Sequence, residues 1–350
     1  MNENCPDKEN PSSEVSRRKF LKNSITGATA LTLGAQLIAQ TTDAATTGIP
    51  TRPLGKTGEN VSILALGGWH IGAVQDQKEA FKIMHTAIDE GLTFFDSAWD
   101  YHDGGSEEVI GKGLAEGNRR DKVYLMTKNC HRDYKGAMHC LEDSLRRFKT
   151  DRLDLWQFHE IVYDNDPDWV FEKGGMKAAL EAQKAGKVRH IGFTGHKDPR
   201  ILKKMLDKRY DWDSVQMPIN AMDAHFRSFQ KDIVPECLVR GTGVIGMKTM
   251  GGGYPRADIP SKTNVTAEEC IRFALSQPVS SIVVGMISME DLKQNIAVAR
   301  DFKPMSKEEQ RELLMRVKDV AGDGRYERYK TTQVMDGPYH VTQHGFDLPS

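Results

Sequence analysis

Several things are missing from this 350-residue chain, and each absence removes a class of protein. Neither sign of charge is in excess: 48 Lys and Arg face 49 Asp and Glu, for a formal net charge of −1. A dedicated nucleic-acid binder needs a basic surplus and an acidic tail needs a block of carboxylates; the chain has neither. The five cysteines, at positions 5, 130, 140, 237 and 270, include no Cys-x-x-Cys pair. Neither a zinc knuckle nor a disulfide framework is indicated, and no metal site is expected. No apolar run is long enough for a stable membrane span. No Gly-x-Gly-x-x-Gly follows the first apolar segment, where Leu66-Gly67-Gly68-Trp69 stands instead, which argues against an open dinucleotide-binding sheet. What remains, 39% apolar and 28% charged residues with 31 Gly and 14 Pro, is a globular composition.

Residues 16–22 read Ser-Arg-Arg-Lys-Phe-Leu-Lys and lead into a moderately apolar stretch, Asn23–Ala39, rich in Gly, Ala and Thr. The arginine pair, the weak apolar region and the small residues near Thr42-Asp43-Ala44 predict a twin-arginine export signal over 1–44. That assigns the twin-arginine translocation machinery as a partner and a periplasmic or otherwise exported location. No cysteine lies near the cleavage point, which argues against a lipoprotein. The alternative is a cytosolic leader that happens to contain two arginines.

From residue 62 onward, short β-branched runs alternate with amphipathic stretches. Strands are predicted over Ser62–Leu66, Thr93–Phe95, Val123–Thr127, Leu153–Phe158, Val188–Phe193, Ser214–Met217, Gly243–Lys248 and Ser281–Val284. Helices are predicted over Lys78–Glu90, Glu107–Glu116, Gly136–Phe148, Met176–Ala185, Pro199–Lys208, Ile233–Arg240, Ala267–Ser276 and Met289–Arg300, with Ser106 and Thr266 as N-caps. Eight strand–helix repeats, nearly continuous in apolar character, predict an α/β protein with a (β/α)8 TIM barrel over 45–322. Turn chemistry over 50–61 predicts a short N-terminal hairpin before it. Residues 323–350 lack a clear period and are expected to form an irregular tail that folds over one barrel face.

In such a barrel, chemistry collects where strands end. The run Phe94-Phe95-Asp96 is followed by Tyr101 five residues after the aspartate, Met126-Thr127 by Lys128, and Gln157-Phe158 by His159. Singly, Asp96 could cap a helix, Lys128 could be a surface lysine, His159 a core histidine and Tyr101 loop packing. An acid, a phenol, an amine and an imidazole arriving at one mouth make those four separate accounts weaker.

At these residues the sequence resembles the aldo/keto reductase family, over roughly residues 50–300. The matching stretches are Leu66-Gly67-Gly68-Trp69, Phe95-Asp96-Ser97-Ala98 with Tyr101, Gly105-Ser106-Glu107 through Gly111, Thr127-Lys128, Gln157-Phe158-His159, Gly192-Phe193-Thr194, Val215-Gln216 and Gly285 through Asn295. The resemblance implies Tyr101 as proton donor, Lys128 as its electrostatic tuner, Asp96 as the lysine's partner and His159 as the orienting imidazole. An ammonium near the phenol is expected to move Tyr101 down toward a useful range from a free value near ~10. The resemblance also implies a nicotinamide dinucleotide, NADP or NAD, across the mouth, with Gln216 and Thr194 on its carboxamide. Two positions depart from the family: Gly195 replaces an asparagine, and Met247 a tyrosine that usually covers the nicotinamide. The pyrophosphate is expected near Lys248, Met250 and Gly251, where a glycine run lets backbone N–H groups approach phosphate; a plain turn reads equally well. Gly285, Ile287, Asp291 and Asn295 match the adenosine end. Ile287 stands where NADP-preferring members often carry a cation, and Asp291 would repel a 2′-phosphate, so the sequence leaves the choice of dinucleotide open.

Trp69, Trp99, His131, Glu160 and His225 follow strands and are candidates to line a pocket for a small carbonyl compound, an aldehyde, ketone or sugar. The leading reading is an exported oxidoreductase that interconverts a carbonyl and an alcohol. Free nicotinamide nucleotide is scarce outside the cytoplasm, so a tightly held cofactor is expected. The alternatives are a non-catalytic nicotinamide-binding regulatory module and a barrel glycoside hydrolase that uses Asp96 and Glu160.

Overall fold

Eight short apolar segments pair in parallel and close on one another in the computed structural model, which describes residues 28–42, 48–252 and 257–330. A hairpin of β1 (Thr51–Pro53) and β2 (Asn60–Ser62) comes first. The barrel strands are β3 (Leu64–Gly67), β4 (Phe94–Asp96), β5 (Tyr124–Asn129), β6 (Leu153–Phe158), β7 (Val188–Thr194), β8 (Ser214–Pro218), β9 (Gly243–Met247) and β10 (Ser281–Val284). Each is bonded to its sequence neighbour, and β10 closes the ring on β3 through Ile282 opposite Leu64. The expected (β/α)8 barrel and its N-terminal hairpin are both present. Helices follow the strands and cover the outside, as parallel strands buried on both faces require.

Because side chains alternate along a strand, the contacts of a few residues fix which face all the others take. Ala65, Phe94, Tyr124, Met126, Leu155 and Ile245 form one cluster inside the ring, closed from below by Leu54 and Val61 of the hairpin. Their neighbours Leu66, Phe95, Leu125, Trp156, Phe193 and Val215 belong to the larger cluster beneath the helices. Two residues beyond the inner layer, the same parity turns Asp96, Lys128, Gln157, Gln216 and Met247 inward. The apolar floor thus gives way to a polar layer at the strands' C-terminal ends.

Some expected boundaries move, for local reasons. The predicted strand Ser62–Leu66 is two strands divided at Ile63. Ser62 Oγ makes that corner by donating to Leu64 O at 2.7 Å while accepting from the backbone N of Thr93 and Phe94, each at 3.1 Å. Ser106 does not cap its helix, which starts at Gly105 after a left-handed Gly104. Its hydroxyl instead donates to Gly68 O at 2.8 Å and so joins that helix to the end of β3. Thr266 does cap its helix, in a reciprocal box with Glu269. The expected helix Ile233–Arg240 begins at Val234, with Pro235 in its first turn. The expected strand Gly243–Lys248 ends at Met247, because Lys248 takes a positive φ of 56°. The leader's arginine pair and its cleavage point lie outside the described residues. Residues 28–39 are helical and pack through Gly34 against Pro278.

A helix unforeseen in the sequence, Lys307–Ala321, carries its own capping box between Ser306 and Glu309. Arg316 bonds it to Glu269 at 2.6 and 2.9 Å, and these bonds hold the Glu269 carboxyl down at about 2. The chain then turns at Gly324, at φ 74°, where a Cβ would sit 2.5 Å from the Phe226 ring. It returns to the barrel mouth as a strap that carries Tyr329 and Lys330. The Lys330 ammonium is fully buried, 2.7 Å from Asp223 Oδ1, 3.1 Å from Glu327 Oε1 and 2.7 Å from Phe226 O. Of the tail expected over 323–350, residues 323–330 are described; residues 331–350 lie outside the described residues.

Lys330→Ala leaves two buried carboxylates without their cation, a loss of about 3 kcal/mol. The strap should open locally: amide hydrogens of 322–330 should exchange much faster while those of the barrel strands do not.

Candidate active site

The polar layer is built on one short ion pair. Lys128, penultimate in β5, reaches across the mouth so that its Nζ lies 2.5 Å from Asp96 Oδ1 and 2.6 Å from Ser97 O. Both side chains are almost wholly buried, at 1% and 3% exposure, so each charge depends on the other. Burial pushes the Asp96 carboxyl up, and Lys128 works against that shift through its charge and its hydrogen bond. Tyr101 stands over this pair. Its hydroxyl is 3.4 Å from Lys128 Nζ, and the ammonium sits 4.8 Å from its ring centroid. His159 follows β6 and places its ring edge-to-face with Tyr101 at 5.6 Å between centroids. The four residues singled out in the sequence are therefore one cluster.

The direction of the Tyr101 shift is opposite to the expectation. Burial holds the phenol well above its ordinary value, and Asp96, Asp100 and Glu160 push the same way. The physical reason is first the burial of the phenol and then the carboxylates of Asp96, Asp100 and Glu160, while Lys128 directs its charge at Asp96. Tyr101 is held as a protonated acid.

Two supports were not foreseen. Arg132, fully buried, bonds Asp166 at 2.8 Å and donates to the carbonyls of Cys130 at 3.1 Å, His159 at 2.7 Å and Glu160 at 3.0 Å. Asp166 in turn accepts from the backbone N of Val162 and Tyr163. This clamp fixes the backbone that carries His159 and holds Glu160 at a φ of 51°. The second is Asp100, whose Oδ1 lies 3.0 Å from His159 Nδ1 and 3.1 Å from Cys130 Sγ. These three donors lie within 4.8 Å of one another, a grouping of metal-ligating types that the sequence reading did not anticipate. Burial pushes the Cys130 thiol well up, so it acts as an S–H donor rather than a thiolate. Spacing gave no sign of either group, since the clamp joins the loops after β5 and β6 and the Asp100 group those after β4, β5 and β6.

The residues expected to hold a dinucleotide line one side of this mouth. Gln216, in the middle of β8, faces the Asp96 carboxyl and draws it down, and its buried Oε1 has no partner among the described residues. An orphaned buried acceptor is costly, and a carboxamide N–H would satisfy it; the residues present fit the group. Thr194 Oγ1 accepts from Glu160 N at 2.8 Å and keeps its own proton to donate. Met247 and Lys248 are half-buried at the end of β9, with Lys248 Nζ 5.1 Å from the Tyr329 ring of the strap. Gly251 turns with a φ of 66°, its N donating to Lys248 O, and Met250 packs against the core; Gly253 lies outside the described residues. Gly285 has His70 where a Cβ would be, 2.3 Å away. Burial, then Lys248, lowers the His70 ring to about 4, so it is neutral at pH 7. Ile287 is exposed, its N donates to Asp291 Oδ2 at 3.1 Å, and Asn295 is buried on the following helix.

The expected pocket residues separate. Trp69 stands at the mouth, edge-to-face with Tyr101 at 5.3 Å, and Glu160 reaches within 3.7 Å of His196. Trp99 instead faces the helix Tyr134–Phe148, donating to Asp143 and stacking under Arg147, and His131 packs edge-on against it. His225 bonds Leu314 O at 3.0 Å and so serves the packing of the last helix.

The sequence model of the aldo/keto reductase family matches residues 63–264, more than half of the chain. The Uncharacterized oxidoreductase YrpG of Bacillus subtilis (strain 168) is 32% identical over 222 residues, 57% of this chain and 66% of that protein; the chain thus spans just under two thirds of that relative. L-galactose dehydrogenase of Arabidopsis thaliana is 24% identical over 305 residues, 75% of this chain and 92% of that one. Among solved structures, aldo-keto reductase AKR11C1 from Bacillus halodurans in its holo form superposes with a TM-score of 0.65 at 23% identity, over 81% of this chain and all of that one. That likeness shows the barrel fold.

Lys128→Met strands Asp96 in the interior, a loss of about 3–5 kcal/mol at neutral pH. Without the ammonium the already raised Asp96 rises further, so the folded form holds a proton that the unfolded form releases above about 3.8. Stability of the variant should therefore fall as pH rises from 4.5 to 7.5 relative to the wild type; denaturant midpoints at both pH values check this, and an equal loss at both would contradict it.

Proposed function

We propose, from the premise that the chain belongs to the aldo/keto reductase family, that it is a nicotinamide-dependent oxidoreductase reducing a small carbonyl compound, with Tyr101 as the proton donor. The single observation that carries this reading is the buried column Asp96–Lys128–Tyr101 at the mouth, ending in a phenol that keeps its proton. A bound NADPH or NADH supplies the hydride. As negative charge grows on the carbonyl oxygen, a donor at hand is what the reaction needs, and Tyr101 gives its proton there. Lys128 then lies 3.4 Å from the oxygen that has become a phenolate. Gln216 Oε1 and the Thr194 hydroxyl would hold the carboxamide, and Lys248 with the Gly251 turn the diphosphate. Asp96 is ion-paired to Lys128, so nothing favours a hydrolase in which it shuttles protons.

Trp69 and Glu160 at the mouth suit a polar carbonyl substrate, with sugars and hydroxyaldehydes among them. Exposed Ile287 and the Asp291 carboxylate at the adenosine end offer a 2′-phosphate no cation, and titration with each nucleotide decides between NAD and NADP. Residues 1–44 are proposed as a twin-arginine signal on the strength of Arg17-Arg18 and the apolar stretch behind them. A protein that crosses folded would carry its nucleotide along, so nucleotide released on denaturing the purified protein supports this arrangement.

Tyr101→Phe should bind dinucleotide with unchanged affinity and lose about 10²- to 10⁴-fold in kcat for carbonyl reduction; retained turnover, followed at the reduced-nicotinamide absorbance, would refute the proton-donor role. A reporter fused behind residues 1–44 should appear outside the cytoplasm and be retained inside when Arg17 and Arg18 are both changed to Lys.

A further inference from the structure

Residues 28–42 lie against the base of the barrel, the end that the β1–β2 hairpin closes, and they contain no charged side chain. The helical part buries or half-buries Ala30, Leu33, Gly34, Leu37 and Ile38, spaced three and four apart, and exposes Leu31, Thr32, Ala35, Gln36 and Ala39. Gly34 lets the inner face come close: a Cβ there would lie 3.1 Å from Pro278 Cβ, with Leu238 Cδ1 at 3.5 Å. Beyond the helix, Thr41 Oγ1 accepts from Arg52 Nε at 2.8 Å. The same guanidinium, fully buried, donates to Val279 O at 2.9 Å and to Leu275 O at 3.0 Å. Thr42 pairs with Thr51 of β1, its N donating to Thr51 O at 3.0 Å and its Oγ1 accepting from Thr51 N at 2.8 Å. A surface helix ordinarily turns charged residues to water. This one turns methyl groups, amides and hydroxyls outward, with Leu31 78% exposed. Such a face suits transfer to a second apolar partner, while 12 helical residues, about 18 Å, are too few to cross a bilayer core of about 30 Å.

We propose, on the reading of residues 1–44 as an export leader, that the barrel base is a dock for the chain's own leader, and that residues 28–42 have two mutually exclusive partners, this base and the export machinery. Three of the segment's four large apolar side chains, Leu33, Leu37 and Ile38, are turned to the barrel. An apolar receptor holds them only after the helix has come off. Undocking takes Thr41 from Arg52 and Thr42 from Thr51, which uncovers one guanidinium nitrogen and the backbone of one hairpin residue. Water answers both groups, so docking is a reversible balance that leaves the barrel core untouched. A leader docked most of the time is presented only in proportion to its undocked fraction. The folded barrel thereby restrains its own departure.

The test uses the full-length chain with the contact altered from either side, Leu238→Gln on the barrel and Gly34→Leu in the segment. In the wild type, amide hydrogens of 33–40 should exchange slowly, because a free helix of this length is marginal in water. In both variants they should exchange about tenfold faster, with those of the barrel strands unchanged. In cells that export a reporter fused behind residues 1–44, Leu238→Gln, whose leader is unaltered, should leave the cytoplasm several-fold faster than the wild type. Unprotected amides over 33–40 in the wild type would overturn the dock. Loss of protection in Leu238→Gln without faster export would overturn the exclusion. A reporter held inside would show that the leader reading itself fails, and the exchange measurement separates that case from a failed dock.

Discussion

An ammonium and a carboxylate enclosed in a barrel, 2.5 Å apart, constrain everything around them. Neither charge is tolerable alone at that depth. The alternation of side chains along β4 and β5 puts both on the inner face, and the pairing of these strands, Asp96 beside Met126, brings them level. Ser97 O takes a further N–H of Lys128, which holds the ammonium under Tyr101 rather than under the open mouth. The barrel's geometry therefore yields a fixed charge pair, and the phenol inherits its surroundings from that pair. Filling the same inner positions with apolar side chains would continue the floor of Phe94, Met126 and Leu155 upward and leave no site.

The charge balance around Tyr101 follows from that arrangement. Lys128 is largely neutralised by Asp96, so the nearby carboxylates Asp100 and Glu160 act on the phenol with little opposition, and all push its proton affinity up. A phenol so placed gives up a proton only when something more basic develops beside it, which is the condition created by a carbonyl oxygen gaining negative charge. Resting-state protonation and reactivity toward a growing oxyanion are thus one property of the site. The Arg132–Asp166 clamp supplies the rigidity this requires, since one guanidinium holds three carbonyls of the two loops that follow β5 and β6.

Much of this was legible in the chain. Barrel closure followed from eight apolar runs separated by amphipathic stretches, and the cluster of Asp96, Tyr101, Lys128 and His159 followed from polar residues interrupting those runs at their ends. Parity along the strands would have sorted Trp99 from Trp69 only with the loop geometry in hand, because both lie beyond the last paired residue. Asp100 was hidden by its neighbour: a residue adjacent to Tyr101 in sequence points at a histidine 59 positions away. The direction of the Tyr101 shift was misread for a related reason. A sequence shows one lysine near one tyrosine, but not that the lysine is already paired or that three carboxylates share the space. The helix Lys307–Ala321 carried a readable capping signal in Ser306 and Glu309, yet its charged surface gave little apolar period.

The strap repeats, at the rim, the device found at the floor of the mouth. Lys330 holds Asp223 and Glu327 as Lys128 holds Asp96, in each case a buried ammonium with a backbone carbonyl as an additional acceptor. The two pairs differ in how they are tethered. Lys128 lies within a strand bonded on both sides, so its pair breaks only with the barrel. Lys330 lies outside the sheet, held by its own side chain, by Arg227, which donates to its carbonyl at 2.6 Å, and by Tyr329, whose hydroxyl meets Asn220 and Glu327. Tyr329 is also the ring beside Lys248 and His196, so the Lys330 cluster sets the surroundings of Lys248 as the Lys128 pair sets those of Tyr101.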